Sequence, residues 1–203
     1  MKINIQSMPG CRVNEYMLVL NPHEELRNKV TRLRNEFSET YKNSAALISK
    51  PHIALARFTQ LEMMEERLVT RLKVIGMGFQ PFKVSLKDYG SFPAHTIFVN
   101  VTTKVPVQNL VRELRMAQRL MKPDSEHKPY FIDEPFIVIG RKLTPWQYEK
   151  GWLEFSHRQF TGSFIADNML LLKRRLGDRS WLIAQRFDFM NLPVTTKQGE
   201  LFV

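Results

Sequence analysis

The stretches PHIALAR, residues 51–57, and PFIVIGR, residues 135–141, follow one pattern. Each begins with proline, continues with small or branched apolar residues, and ends with arginine at the same offset. Short apolar runs of this composition, rich in Ile and Val, predict buried strands. Two matching strands in one chain indicate a duplicated unit.

The order of predicted elements around these stretches also repeats. A strand, a helix, a strand and a helix occur over residues 15–75, and again over 96–160. The first helix is predicted from Leu26, Val30 and Phe37, whose spacing places them on one helical face. Each stretch is the second strand of its unit, so we expect two related lobes that face each other.

The remaining elements follow from apolar periodicity and from turn residues. Thr144-Pro145 predicts a helix start, with threonine as the cap and proline in the first turn. We expect one domain over residues 1–191 and a weakly ordered tail over 192–203. The predicted strands are 15–20, 51–58, 82–87, 96–103, 135–143, 163–173 and 180–189, and the predicted helices are 24–41, 61–75, 106–121 and the segment after Pro145.

Composition and charge limit the classes of function. The chain has 203 residues, a formal net charge of +10 and a single cysteine, Cys11, which excludes an intramolecular disulfide. No signal-like N-terminus and no apolar run long enough to span a bilayer occurs, so we expect a cytoplasmic protein without a membrane partner. The positive charge favours anionic partners such as RNA or nucleotides. The densest basic group, around Gly177, is read as a solvated hairpin tip.

These features resemble the two-histidine phosphoesterase superfamily, which includes 2'-5' RNA ligases and RNA cyclic phosphodiesterases. In that family each lobe contributes a strand motif, His-x-Thr/Ser, often within Pro-His-x-Thr-(apolar)-x-Arg. PHIALARF matches the first motif and PFIVIGRKL aligns with the second, and the resemblance extends over residues 15–189. It implies an α+β fold of two pseudo-symmetric lobes, each an antiparallel sheet packed with helices, with a cleft between them.

The family's chemistry explains its four motif side chains. Hydrolysis of a 2',3'-cyclic phosphate needs a base for water and an acid for the leaving oxygen, and two histidines can divide these roles. A hydroxyl two residues further along the strand lies on the same face and can hold phosphate oxygens. Here only His52 matches the pattern, since its partners are Ala54, Phe136 and Val138. The resemblance therefore implies a degenerate site with weak or no standard activity.

Other residues on the two motif strands are candidates for the missing groups. By strand alternation, Lys50 shares a face with His52, and Glu134 and Lys142 share a face with Phe136. Either lysine could hold a phosphate, and Glu134 could act as a base. The same parity directs Arg57 and Arg141 to the opposite face, unless a bulge intervenes, so we expect them at the surface.

The other histidines predict neither a metal site nor a cofactor. His95 precedes a strand, and we expect its ring to bond to the backbone rather than to enter the cleft. No two of the five histidines have the spacing of metal ligands, so no metal is expected. No Gly-rich phosphate loop occurs either, which disfavours an ATP-dependent ligase. Phe136 is read as filling for the cleft, with stacking on a base as the alternative.

Three functions stay open at this point. The first is a diverged phosphoesterase that binds an RNA end, a nucleotide or another phosphate ester in the cleft. The second is a non-enzymatic module that binds RNA or nucleotides. The third is a different phosphoester or acyl chemistry centred on His52.

Overall fold

A computed structural model describes residues 12–192, which form nine strands and four α-helices. Two short 3₁₀ turns, before α2 and after α3, complete the regular structure of this part. In chain order the elements are β1 (Val13–Leu20), α1 (Glu24–Tyr41), β2 (Ile53–Leu61), α2 (Glu65–Gly78), β3 (Phe82–Phe92), β4 (Thr96–Val101), α3 (Lys104–Arg115), β5 (Tyr130–Phe131), β6 (Phe136–Arg141), α4 (Pro145–Phe155), β7 (Thr161–Ala166), β8 (Asn168–Arg175) and β9 (Leu182–Asp188).

The strands form two antiparallel sheets, one for each lobe. The first sheet has the order β5-β2-β1-β8-β9, and the second has the order β6-β4-β3-β7. Helices α2 and α3 pack against the first sheet, and α1 and α4 pack against the second. The first helix of each repeated unit therefore crosses to the opposite lobe. This arrangement confirms the predicted α+β fold with two lobes.

One hydrophobic core joins the lobes, and α1 shows why its sequence forms a helix there. Leu26, Val30 and Phe37 lie on its buried face, as their spacing predicts. The Phe37 ring contacts the rings of Tyr41 and Phe155 at centroid distances of 4.7 and 5.5 Å. Each such buried side chain contributes about 1.5–3 kcal/mol by leaving water. The crossing of α1 thus ties the repeated units together.

Both motif strands contain a β-bulge at the same position of their shared pattern. On β2, Ala54 and Ala56 pair with successive residues of β1, which leaves Leu55 as the extra residue. On β6, Val138 and Gly140 pair with successive residues of β4. A bulge shifts the alternation of side chains by one position and re-aims the residues beyond it. The repeat predicted from sequence thus extends to an irregularity of the backbone.

The structure corrects the predicted C-terminal elements. The segment 163–173, predicted as one strand, is divided at Asp167 into β7, which pairs with β3, and β8, which pairs with β1. The chain thus passes from one sheet to the other at this residue. Helix α2 also begins later than predicted, because β2 continues to Leu61. Beyond Leu192 the predicted tail lies outside the described residues.

Helix α4 begins as its sequence indicates. The side-chain oxygen of Thr144 accepts a hydrogen bond from the backbone N–H of Gln147, whose side chain accepts in return from the backbone of Thr144. This reciprocal capping box stabilises the helix start directly after β6. The segment that leaves the second motif is therefore held at a fixed place.

Candidate active site

The two motif strands meet at a cleft of about 510 Å³ between the sheets. His52 and Ala54 line it from the first lobe, and Phe136 and Val138 line it from the second. All four aligned motif positions are therefore brought together. The other residues of the lining are Arg57, Phe92, His95, Thr96, Tyr130, Ile132, Asp133, Glu134 and Arg141.

Arg57 and Arg141 also line the cleft, which corrects the prediction that they face away from it. The physical reason is the bulge in each strand. The extra residue on β2, Leu55, and its counterpart on β6, Ile139, reverse the alternation before the chain reaches the arginine. The repeated arginines are thus part of the cleft lining, which strict strand parity did not predict.

A third arginine, Arg34 on α1, lies beside this pair and is almost completely buried. Its guanidinium donates to the backbone carbonyls of Val138, Ala46 and Ser49 at 2.7, 3.0 and 2.7 Å. Val138 is the residue before the bulge of β6, so Arg34 holds that bulge in place. Sequence reasoning missed Arg34 because it lies among the charged residues of an amphipathic helix.

The three guanidinium groups raise the positive charge of one small region. Arg34, Arg57 and Arg141 line, with His52, a cavity of about 30 Å³ that adjoins the cleft. Burial lowers the pKa of Arg34 to about 10, and the charge of Arg141 contributes. Burial also lowers the pKa values of Arg57 and Arg141. The charges of Arg141 and Arg174 lower that of Arg57 further, and the charge of Arg174 lowers that of Arg141. No salt bridge among residues 12–192 involves any of these arginines.

The ring of His52 is fixed in one tautomer. Its Nδ1 lies 2.7 Å from the carbonyl oxygen of Lys50, and since a carbonyl only accepts, Nδ1 must carry the proton. Burial lowers the pKa of His52 to about 4, and Arg34, Arg57 and Arg141 act in the same direction. The bond to Lys50 opposes them. At neutral pH His52 is therefore uncharged, with Nε2 as a free acceptor.

The wall opposite His52 is aromatic. The ring of Phe136 packs against Phe92 and Phe98 at centroid distances of 5.2 and 4.7 Å, and Phe92 stacks on His95 at 6.1 Å. Phe136 is only half-buried, so one side of its ring faces the cleft. Tyr130, exposed at the mouth, adds a further ring. This wall presents a surface suited to a flat apolar group.

His95 lines the cleft, contrary to the prediction that it would bond to the backbone outside it. Its Nδ1 lies 2.7 Å from the hydroxyl oxygen of Thr96. The turn between β3 and β4, in which Ala94 has a positive φ of 69°, brings the ring to this position. The cleft therefore holds two histidines, although the second is not at the aligned position.

The three charged candidates from the motif strands have different places. Glu134 lines the cleft and forms a salt bridge with Lys104 at 2.7 Å, on the exposed rim. Lys142 is exposed, has a φ of 53° and does not line the cleft. Lys50 also lies outside the lining of the cleft, but it lines a neighbouring groove together with His52.

Neither a cluster of metal ligands nor a membrane-spanning helix occurs in the described part of the chain. Between residues 12 and 192, no group of three or more His, Cys, Asp or Glu side chains is placed to hold a metal ion. Over that range, no helix combines the length and the apolar character needed to cross a membrane. The expectations of no metal, no cofactor and a cytoplasmic location stay predictions.

Comparisons with known proteins identify the relatives of this fold. The family model described as the 2'-5' RNA ligase superfamily matches residues 22–178. Among solved structures, E. coli LigT in apo form shares 14% identity with a TM-score of 0.61, and the alignment covers 87% of this chain and 98% of LigT. LigT complexed with 3'-AMP shares 15% identity with a TM-score of 0.64, and the alignment again covers 87% of this chain and 98% of LigT. TT0787 of Thermus thermophilus shares 12% identity with a TM-score of 0.60, and the alignment covers 87% of this chain and 98% of TT0787. No curated protein matches the sequence.

Proposed function

The chain belongs to the 2'-5' RNA ligase superfamily, and we propose that it binds a phosphate ester, an RNA end or a nucleotide, in its inter-lobe cleft. We further propose that it has weak or no standard cyclic phosphodiesterase or ligase activity, because Phe136 stands where the second catalytic histidine is expected. The protein would then act as a binder of phosphate esters rather than as a ligase.

The observation that carries this proposal is a group of three arginines that form no salt bridge among residues 12–192, although Asp133 and Glu134 also line the cleft. Arg57 and Arg141 converge on the cleft beside His52, one from each lobe, and Arg34 lies behind them. Placing cations together without acidic partners costs free energy, which an anionic ligand would offset. Guanidinium groups bind phosphate in a bidentate manner, and the neutral Nε2 of His52 can accept a hydrogen bond from a ligand hydroxyl.

The aromatic wall supports a ligand with a flat ring. A base placed against the exposed side of Phe136 would lie opposite the arginines, so that one nucleotide satisfies both walls of the cleft. The relative LigT is described in complexes with 3'-AMP and with phosphate. A nucleotide is thus the ligand class that fits both the chemistry of this cleft and the family.

The side chains explain why the usual reaction would be slow. His52 can accept a proton through Nε2, since its pKa of about 4 keeps it neutral at pH 7. Phe136 cannot donate a proton to a leaving oxygen, and Ala54 and Val138 have no hydroxyl for the phosphate. Loss of one acid–base partner removes a factor of roughly 10²–10⁴ from the rate.

Binding of 3'-AMP to charge-neutral arginine variants tests the proposal. Arg57→Gln and Arg141→Gln should each weaken 3'-AMP binding about tenfold or more, because each removes a charge-assisted hydrogen bond. Lys142→Gln is the matched control, since it removes one charge from an exposed neighbour outside the cleft. Calorimetric titration at low salt provides the measurement. Absence of 3'-AMP binding to the native protein, or equal losses in all three variants, would refute the proposal.

A second candidate function rests on the presence of His95 in the cleft. Two histidines line the same cavity, so His95 could supply the proton that Phe136 cannot. In that case 2',3'-cyclic nucleotides would be hydrolysed, and both His52→Ala and His95→Ala would abolish turnover. If turnover is undetectable in the native protein, or unchanged in His95→Ala, this second function is excluded.

A further inference from the structure

We propose that a groove between α2 and α3, on the first lobe, binds a later segment of the same chain, residues 200–203. The sequence of this segment, Glu200-Leu201-Phe202-Val203, places one carboxylate before three apolar side chains. The segment lies outside the described residues, 12–192. Within that described range the groove and the inter-lobe cleft share no lining residue, so the docking does not depend on the proposed function.

The groove, called the helix groove below, is formed by one face of each helix. On α2 its lining runs from Arg71 to Gly78 at offsets of three, four and seven residues. On α3 it runs from Asn109 to the C-cap residue Met116 at the same offsets. Residues at these offsets lie on one side of a helix. The helix groove has a volume of about 540 Å³, which is within the range of ligand sites.

The apolar part of the helix groove is open to solvent. Val74 and Phe79 are only half-buried, and Met116 is 64% exposed. Apolar side chains that are exposed together mark interaction sites. A short segment that places apolar side chains in a groove between helices is a recurring mode of peptide recognition. Leu201 and Phe202 supply two adjacent large apolar side chains of this kind.

The charges of the helix groove and of the chain beyond Leu192 are complementary. Among the described residues that line the groove, Arg71 and Arg112 are cationic and Glu113 is the single carboxylate. No salt bridge within residues 12–192 involves any of these three. Residues 193–203 carry two charged side chains, Lys197 and Glu200. Exposed ion pairs contribute little affinity, so these charges would orient a segment that its apolar side chains hold.

The described part of the chain ends beside the helix groove. The N–H of Asn191 donates a hydrogen bond to the carbonyl of Phe79 at 3.0 Å. The N–H of Leu192 donates to the carbonyl of Met77 at 2.9 Å. Phe79 lines the groove, and the order of the two hydrogen bonds shows that the chain runs back along α2. Residue 193 therefore starts at the groove and heads along it.

The length of chain that follows is sufficient to fill the helix groove. From Leu192 to Leu201 an extended chain reaches about 30 Å, since each residue adds about 3.3 Å. The groove between Gly78 and Arg71 is about 10 Å long, because a helix rises about 1.5 Å per residue. A tether of this length keeps the segment at a high effective concentration, which favours it over a segment of another molecule.

Paramagnetic broadening in the full chain tests the docking. A nitroxide is attached to Val203→Cys in a Cys11→Ser background, so that Glu200, Leu201 and Phe202 stay in place. We expect the amide signals of residues 71–79 and 109–116 to broaden, and those of α4 to keep their intensity. Phe202→Ser should lower the docking equilibrium constant about tenfold, since it removes the largest apolar side chain of the segment.

Charge reversal in the helix groove gives a matched comparison. Arg71→Glu combined with Arg112→Glu should lower the docking equilibrium constant about tenfold, and adding Glu200→Arg should restore most of it. Lys73→Glu combined with Arg119→Glu changes the net charge equally at exposed positions outside the groove, and should leave the broadening unchanged.

Three results would overturn the proposal. The first is equal broadening of α4 and of the helix groove. The second is broadening that persists in Phe202→Ser or falls equally in both charge-reversed pairs. The third is equal broadening when a spin-labelled chain without ¹⁵N is mixed with an unlabelled ¹⁵N chain, which would make a second copy the occupant.

Discussion

Strands β2 and β6 have the same backbone and different side chains. Both lie shortly after a proline, contain a bulge at the same position of the shared pattern and carry, beyond the bulge, an arginine that lines the cleft. The aligned site residue is His52, directly before β2, in the first lobe and Phe136, at the start of β6, in the second. The comparison separates two properties of the cleft: each lobe directs an arginine into it, whereas only the first lobe has a side chain capable of proton transfer at the aligned position. We therefore expect substitutions of the arginines and of the aligned residues to affect different properties of the cleft.

The two bulges are also held by different means. On β2, the carbonyl of Leu55 accepts a hydrogen bond from the backbone N–H of Ile132 at 2.9 Å. On β6, the carbonyl of Val138 accepts from the side chain of Arg34. A backbone hydrogen bond thus holds the bulge of β2, whereas the buried guanidinium of Arg34 holds the bulge of β6. The bulge of β6 is therefore the more sensitive to substitution of a side chain.

Removal of Arg34 should have the largest effect on stability. Arg34→Met keeps much of the apolar stem but leaves three carbonyls, one buried and two partly buried, without their donor, which should lower the free energy of unfolding by about 3 kcal/mol. Arg32→Met, at an exposed position of the same helix, should change it by less than about 0.5 kcal/mol. Urea denaturation measures both. Similar values for the two variants would show that Arg34 does not hold the bulge.

Restoring the missing histidine should make the two strands chemically alike. Phe136→His should increase hydrolysis of 2',3'-cyclic AMP by about 10²-fold, since it supplies a second acid–base group opposite His52. Phe92→His is the control, because it changes the same aromatic cluster without altering a motif strand. Initial rates by chromatography provide the readout. An equal increase in the control, or none in Phe136→His, contradicts the view that Phe136 limits catalysis.

The equivalent residues Gly140 and Ala56 test the packing behind the bulges. A Cβ added at Gly140 would lie 2.5 Å from the buried ring of Phe37, so Gly140→Ala should destabilise the protein by about 2 kcal/mol. Ala56, by contrast, holds a Cβ in its fully buried position on β2. In a double-mutant cycle, Gly140→Ala combined with Phe37→Leu should lower the free energy of unfolding by less than the sum of the two single decreases. Strict additivity would mean that the Phe37 ring is not what excludes a side chain there.

Protonation of His52 should leave stability unchanged at neutral pH and should become visible only in acid. Its pKa of about 4 in the folded protein is below the value of about 6.5 for an unperturbed histidine. The unfolded chain therefore binds the proton first, and the free energy of unfolding falls as pH decreases from about 6.5 towards 4. His52→Gln should lack this part of the decrease. Urea denaturation of the native protein and of His52→Gln at several pH values measures this difference. If the free energy of unfolding falls in parallel with pH in both proteins, the prediction is wrong.

The sequence predicts the lobes better than it predicts the site. Periodicity identifies α1 and the motif strands, and the resemblance to the family identifies four aligned positions, all of which line the cleft. The expected alternation of side chains misplaces Arg57 and Arg141, because it holds only in a regular strand. A bulge leaves no clear signature in a short apolar run of sequence. The prolines and the arginines occupy matching positions in the two repeated stretches. This match is the sequence signal that could have placed both arginines in one cleft.

Other errors have the same origin in tertiary geometry. The segment 163–173 reads as one strand, since nothing local shows that its two halves pair in different sheets. His95 enters the cleft because of a turn with positive φ at Ala94, which periodicity does not describe. Arg34 is buried by the crossing of α1 to the other lobe. These features depend on contacts between residues that are distant in sequence.

The central claim is that the cleft binds phosphate esters without processing them efficiently. The most direct test is ³¹P NMR of 2',3'-cyclic AMP with the native protein at low salt, because the spectrum reports binding and turnover together. We expect that the cyclic phosphate signal shifts and broadens with added protein, that excess inorganic phosphate reverses this change, and that no product signal accumulates. A sharp signal unchanged by the protein would contradict the binding, and rapid product formation that disappears in His52→Ala would contradict the loss of catalysis.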